Sequence, residues 1–416
     1  MDASHSHLLA DENGKGPPLT TQSFSARRTA FLSLLVAVGS YITARLGGTL
    51  GLPPQGVSAL WPGCALLASV MLLVPRKTWS AFIPAGLAGF VVHDLQVGFR
   101  PLTIALFILA DTIEILIVVF GLRYCFDGIP RLNSLKALAK YSLVAVLLGP
   151  LIGSFVGAFA ISGYFFTHWR ILFFSEAMAF FTITPAFLSW ASPDSVQKNL
   201  SPKYRREGAA LIGTVIFLGY VVFFLHWRGP LLSYSLVPVL LWAALRFGSK
   251  GVCTSMIIIV FSSIWGSIHG SGPFTGPDPL HYVLSLQLFW VFAAAPFMIL
   301  ATLVEERERA RLVERELSRR LTFAQEQERI RIARELHDDV CQRLAILSLK
   351  IEKVTKGSGF EQSSLADQLE QIWQHCSSLT GDVQALSHEL HPSILDNLGL
   401  VTAVKSYCRE VSKQSG

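Results

Sequence analysis

The segment Glu335-Leu336-His337-Asp338-Asp339-Val340-Cys341-Gln342-Arg343-Leu344 carries three groups suited to phosphoryl transfer within six residues. A neutral imidazole at His337 is a competent nucleophile near neutral pH. A carboxylate at Asp338, bonded to the other ring nitrogen, would fix the tautomer and stabilise the developing cation. The amide of Gln342 could orient a water for the reverse, hydrolytic step. The same residue types also suit a solvated helix face with no chemistry, and spacing alone does not separate the two readings.

A second set of ionisable residues sits in apolar surroundings: His93, Asp94, Asp111, Glu114 and Glu176. A charge in lipid costs a few kcal/mol even on permissive scales, so such groups face a protein interior or a water-filled cavity. Asp111 and Glu114 are three apart and share one helix face. Asp94, Asp111, Glu114 and Glu176 are therefore candidates for a ligand or ion pocket within the membrane. Hydrogen bonding between helices, or a protonated acid, is the plainer alternative.

The elements that must position these groups follow from composition. The 416 residues are 51% hydrophobic and only 15% charged, with mean hydropathy +0.46. A soluble chain is about 25% charged, so an ordinary soluble enzyme, a disordered regulator and a secreted disulfide scaffold are excluded. The charge is uneven. Residues 1–304 hold 19 Lys+Arg against 11 Asp+Glu, while 305–416 hold 16 against 18. The basic pI belongs to the first part and gives no reason to expect nucleic acid as a partner. The six cysteines form no C-x-x-C pair, which argues against a zinc knuckle or a disulfide framework and leaves buried thiols as the default.

A span needs roughly 17–25 mostly apolar residues. Ten are expected, at 29–47, 56–74, 79–97, 101–122, 138–161, 170–190, 209–227, 230–246, 251–269 and 281–304, after a flexible tail over 1–28. With the N-terminus in the cytoplasm, 14 Lys and Arg from Arg27 onward fall on the inner side and four (Arg45, Arg100, Arg170, Arg228) on the outer. That asymmetry satisfies the positive-inside rule and places both termini in the cytoplasm. Membrane lipid is thus an expected partner.

The last span runs without a Gly/Pro linker into Glu305-Glu306-Arg307-Glu308-Arg309 and onward as a solvated signalling helix over 305–328. Then Ile330, Ala333, Leu336, Val340, Leu344, Leu347, Ile351 and Val354 define one apolar face, with steps of 3, 3, 4, 4, 3, 4 and 3. Gly357-Ser358-Gly359 ends that helix. A second helix carries Leu365, Leu369, Ile372, Cys376, Leu379, Val383, Leu386 and Leu390, and Pro392 stops it. One hairpin over 329–392 cannot cover both stripes, whereas two hairpins in a four-helix bundle can, so a homodimer is predicted. His337 follows the core position Leu336 and should lie about 100° off the seam, open to solvent. The fold class is all-α: a polytopic helical bundle, a long helix and a dimeric two-helix hairpin.

Two resemblances bear on function. Ala59-Leu60-Trp61-Pro62-Gly63-Cys64-Ala65-Leu66 resembles the L-W-P-x-x-G-x-A signature of the first type of membrane-associated sensor domain (MASE), with the small residue after Trp-Pro displaced. That family places a many-span sensor at the N-terminus of bacterial signalling proteins. Glu328 to Leu349 resembles the phosphoacceptor helix of sensor histidine kinases of the nitrate-sensor type, whose H-D-x-x-x-Q motif reads here His337, Asp338, Gln342. Cys341 stands where that family has glycine. The second helix and its exit through Leu386-Ser387-His388-Glu389-Leu390-His391-Pro392 resemble the same subfamily. The resemblance implies that His337 accepts the γ-phosphoryl of ATP, that Asp338 orients it and acts as base, and that Gln342 supports dephosphorylation of a response regulator. It assigns no phosphate to His388 or His391.

The family also implies ATP and Mg as cofactors, yet no Gly-rich element follows residue 400, and the three G-x-G strings sit in a tail, a loop and a turn. Residues 393–416 are expected to begin a linker to an ATP-binding domain that is missing from this fragment or supplied in trans. The expected function is a membrane sensor histidine kinase of a two-component system in the bacterial plasma (inner) membrane, partnered by a second copy and a response regulator. A transporter whose cytoplasmic hairpin only dimerises, and a non-catalytic phosphotransfer subunit, are the alternatives.

Overall fold

A computed structural model describes residues 26–52, 57–161, 163–191, 202–225, 230–275, 279–357 and 364–390, with scattered residues beyond 400. The tail over 1–25, the hairpin turn at 358–363, His391, Pro392 and residues 393–400 lie outside the described residues. The helices in chain order are α1 (Ala26–Thr49), α2 (Pro62–Leu73), α3 (Trp79–Val97), α4 (Pro101–Cys125), α5 (Leu135–Tyr141), α6 (Gly149–Ala158), α7 (Phe165–Ala191), α8 (Pro202–Phe223), α9 (Leu236–Ile268), α10 (Pro279–Glu335), α11 (Gln342–Gly357) and α12 (Ser364–Leu390). Among the described residues the β structure is one antiparallel pairing of Gly51–Leu52 with Val57–Ser58. The all-α, polytopic class is as expected. Two compact units divide between Arg309 and Ala310.

In the first unit eight helical stretches are long and apolar enough to cross a membrane. The expectation of ten differs at two places. The segment 56–74 yields only α2, whose 12 residues span about 18 Å against a hydrocarbon core of about 30 Å. Nine of those 12 residues are buried, so α2 is a core helix wrapped by other helices. Its apolar sequence serves protein packing, which hydropathy alone does not distinguish from lipid contact. Pro62 opens α2 at its first turn, where its missing N–H costs nothing. At the other end Arg123 of α4 donates from Nη2 to the carbonyls of Leu72 (2.9 Å) and Val74 (3.0 Å), satisfying acceptors that the helix end leaves open.

The count also drops at 230–246 and 251–269, the two limbs of α9, which the eight stretches take together although a sharp break divides them. The backbone breaks at Gly248 (φ 62°, ψ −148°), a region open essentially only to glycine. The chain folds back there: a Cβ on Gly251 would lie 2.4 Å from Phe247 Cβ and 2.9 Å from the Ala243 carbonyl. Glu305 of α10 closes the break, accepting from the Ser249 amide at 2.7 Å. The span over 135–158 also departs from regular geometry, through a π-helical stretch at Ser142–Leu148 between α5 and α6.

Membrane-unit packing leaves apolar side chains outward. Phe31, Leu34 and Ile42 of α1 are all more than half exposed, as a lipid-facing helix requires. Inside, Gln287 of α10 is fully buried and donates to the carbonyls of Ala59 (3.0 Å) and Ile171 (3.2 Å). That amide ties the segment leading into α2 to α7.

In the second unit α11 and α12 form an antiparallel hairpin, and Ser387 Oγ of α12 donates at 2.8 Å to the carbonyl of Ala333, in the last turns of α10. Ala333, Cys341 and Cys376 are buried between the helices.

Candidate functional site

His337 lies in a π-helical segment, Leu336–Cys341, that joins α10 to α11. Such single wide turns occur disproportionately at functional sites. The turn also changes what the motif can do. Five residues along a regular α-helix rotate by about 500°, leaving Gln342 about 140° round from His337. An i→i+5 turn brings position i+5 toward alignment with position i, so it carries Gln342 toward the His337 face. His337, Asp338 and Gln342 are all exposed, while Leu336 and Val340 are half-buried and Cys341 is buried. The imidazole therefore stands at the edge of the hairpin, as the spacing predicts.

The neighbouring charges are engaged. Arg343 donates from Nε to Asp339 Oδ1 at 2.7 Å. Arg331 bridges Glu328 (2.8 Å from Nε) and Glu335 on successive turns. The hydrogen bond from Arg331 holds the Glu328 carboxyl below its ordinary range, and the two carboxylates push the guanidinium up. Among the described residues no hydrogen bond joins His337 to Asp338, so the carboxylate is adjacent to the ring and uncommitted. His388 lies near the end of α12.

The membrane acids sort into two groups. Asp94 pairs with its neighbour His93 (Nδ1 to Oδ1, 3.0 Å), and the His93 ring meets Trp61 edge-on at 5.9 Å. Asp111 and Glu176 instead meet each other and a residue not foreseen among the site candidates, Cys64. The Cys64 thiol donates to Asp111 Oδ1 at 3.3 Å, and ligand atoms of Cys64, Asp111 and Glu176 all lie within 4.8 Å of one another. Glu114, one turn from Asp111 on α4, is 2% exposed. It is packed so closely that a Cβ on Gly153 of α6 would fall 2.5 Å from its Oε2. The signal that could have found Cys64 was its place in the Trp61-Pro62-Gly63-Cys64 string: the same residues that start α2 put the thiol in its first turn.

Comparison with known proteins places this architecture. The MASE1 family profile matches residues 32–308, which is most of the chain and includes every helix around Cys64. The chain belongs to the MASE1 family. After this MASE1 region, the profile of a histidine kinase family, HisKA_3, matches residues 328–395 and so spans the π-helical segment and the hairpin. The oxygen sensor histidine kinase NreB of Staphylococcus carnosus (strain TM300) is 37% identical over 106 residues, covering 26% of this chain and 30% of that protein. The chain thus spans about a third of the length of this curated relative. No solved structure matches. The MASE1 assignment and the many apolar helices make the protein a multi-pass membrane protein.

The histidine kinase family implies ATP as substrate. The described residues do not fit a nucleotide: those within 310–390 are helical, with no strand-to-helix glycine loop among them to cradle phosphates.

Proposed function

We propose that this protein is a membrane sensor histidine kinase of a two-component system, and that His337 is its phosphoacceptor. The exposed imidazole in a π-helical turn inside the histidine-kinase match carries the reading. In the proposed chemistry an uncharged ring nitrogen of His337 attacks the γ-phosphorus of ATP, and ADP departs. Asp338, after a rotamer change that lets it accept from the other ring N–H, takes up the charge that develops on the ring. The phosphoryl group passes next to an aspartate of a response regulator, and Gln342 orients water for the reverse hydrolysis. ATP is presented by an ATP-binding domain, either in trans or continuous with the phosphoacceptor hairpin. Solvent exposure suits the work, since one nitrogen must meet two large partners in turn.

The side chains of the hairpin support a second copy. Ile372, Leu379 and Leu386 recur every seventh residue along α12 and are each about half exposed. Leu347 and Val354 of α11 share that spacing and exposure. Two half-exposed apolar stripes suit a four-helix bundle between two protomers. The Lys and Arg asymmetry supports cytoplasmic termini in a bacterial plasma membrane, with the domain boundaries given by the sequence.

The test is labelling of the full chain, in detergent or nanodiscs, with radioactive ATP and an added histidine-kinase ATP-binding domain. The expected product is an acid-labile, base-stable phosphate that His337→Gln loses entirely and His388→Gln keeps. A label retained in His337→Gln overturns the assignment. A transporter would instead show substrate flux in proteoliposomes that His337→Gln leaves intact.

A further inference from the structure

We propose that Cys64, Asp111 and Glu176, with Glu114 as the fourth group, form a binding site for a single divalent transition-metal ion of the zinc class inside the MASE1 bundle. The proposal adds a ligand class to the sensor reading.

Three helices contribute. Cys64 comes from the first turn of α2, Asp111 and Glu114 from successive turns of α4, and Glu176 from α7. The metal-ligating atoms of the first three lie within 4.8 Å of one another. A tetrahedral zinc ion bound at its usual S and O distances sets its ligand atoms roughly 3.5 Å apart. The Cys64–Asp111 edge is already 3.3 Å, so that pair needs almost no movement and Glu176 needs to close by about an ångström.

Burial adds an independent observation. Glu176 is 6% exposed and Glu114 2% exposed. Glu176 Oε2 and Glu114 Oε1 have no hydrogen-bond partner among the described residues. No Lys or Arg among those residues forms an ion pair with Asp111, Glu114 or Glu176. Buried carboxylates are normally paired, hydrogen-bonded or metal-bound. Here Glu176 and the half-buried Asp111 lie beside a thiol, Glu114 sits one turn from Asp111, and both glutamates retain an oxygen that nothing among the described residues satisfies. A cation between them supplies the missing partner.

The donor set narrows the cation. A gap between atoms that all lie within 4.8 Å of one another accepts one atom, which excludes an organic ammonium compound. Calcium and magnesium take oxygen ligands alone and six or more of them. A thiolate with carboxylates matches zinc and its softer first-row neighbours. Binding releases the Cys64 thiol proton to solvent as the sulfur–metal bond forms.

The experiment uses the full chain in detergent, purified through a tag free of histidine. The protein is stripped with a chelator, equilibrated with zinc at micromolar free concentration and passed through a desalting column. Metal analysis is expected to give about one zinc ion per chain. Replacement by cobalt should produce a near-ultraviolet sulfur-to-cobalt charge-transfer band. Cys64→Ser should abolish that band although the other five cysteines remain. Glu176→Gln should weaken zinc binding by about tenfold or more. Wild-type protein that retains no zinc, or a cobalt band that survives in Cys64→Ser, overturns the site. Neither readout involves phosphorylation, so failure here leaves the His337 assignment standing, and loss of the His337 label leaves the metal site standing.

Discussion

The acidic cluster at Cys64 and the imidazole at His337 are opposite solutions to placing a reactive group. The first is drawn from three helices, and its Cys64, Glu114 and Glu176 are withdrawn from water. The second stands exposed on the edge of a two-helix hairpin. A buried site selects by size and ligand chemistry because only a dehydrated atom fits. An exposed site leaves selection to the macromolecules that dock on it. The contrast teaches that burial in this protein tracks the size of the proposed partner: an ion inside the membrane unit, whole protein domains at the hairpin.

The largest effect is expected where the half-exposed side of the hairpin meets a second copy. Leu347→Glu combined with Leu379→Glu introduces carboxylates at positions 45% and 51% exposed in the protomer. At a dimer seam each becomes a buried, unpaired charge costing several kcal/mol. The expected outcome is conversion of a detergent-solubilised dimer to monomer by light scattering, together with loss of trans-phosphorylation at His337. If the stripes face water in the working protein, the mass stays unchanged and the dimer is wrong.

A smaller effect is expected at the break in α9. Gly248→Ala forces a side chain into a backbone region costing about 1–3 kcal/mol. Its Cβ would also lie 2.5 Å from Glu305 Oε1, displacing the carboxylate that receives the Ser249 amide. Thermal unfolding of the solubilised protein should start earlier in Gly248→Ala. Glu305→Ala, which removes only the cap, should cost about 0.5–2 kcal/mol. Equal midpoints for Gly248→Ala and wild type would show that the break is not a built feature.

How much of this was readable beforehand differs between the two regions for one physical reason, sequence distance. His337, Asp338 and Gln342 lie on one continuous helical path, so spacing and motif convey them together. Even the wide turn leaves a trace: the consecutive four-residue steps Leu336–Val340–Leu344 interrupt the alternation of threes and fours that a regular seam keeps. The membrane acids were visible singly, because a charge in an apolar run stands out. Their grouping was not, since Cys64 meets a carboxylate 47 residues away, and no periodicity reports contacts between helices. The span count departed from the fold at 56–74, where hydropathy is blind: the apolar α2 is wrapped by protein, not lipid. The break at Gly248, by contrast, falls in the gap between the expected spans 230–246 and 251–269.

The smallest expected effect separates ordinary surface electrostatics from the motif beside it. Arg331 bridges Glu328 and Glu335 just before His337, in full view of solvent. Exposed pairs of this kind contribute little to stability and are screened by salt. Glu328 is held below the usual carboxylate range by its hydrogen bond from Arg331. The stabilisation linked to that group is present above its unfolded value and is lost as the pH falls through its folded value. In Arg331→Ala the Glu328 carboxyl should titrate at an ordinary value, measured by carbon NMR on selectively labelled protein. The hairpin should unfold at nearly the same temperature as wild type, with the difference vanishing at high salt. His337 labelling should persist, because Arg331 touches neither the imidazole nor Gln342. Loss of labelling at low and high salt alike would instead make Arg331 part of the docking surface for the ATP-binding domain, and the exposed site would then do more of its own selecting than the comparison with the buried cluster allows.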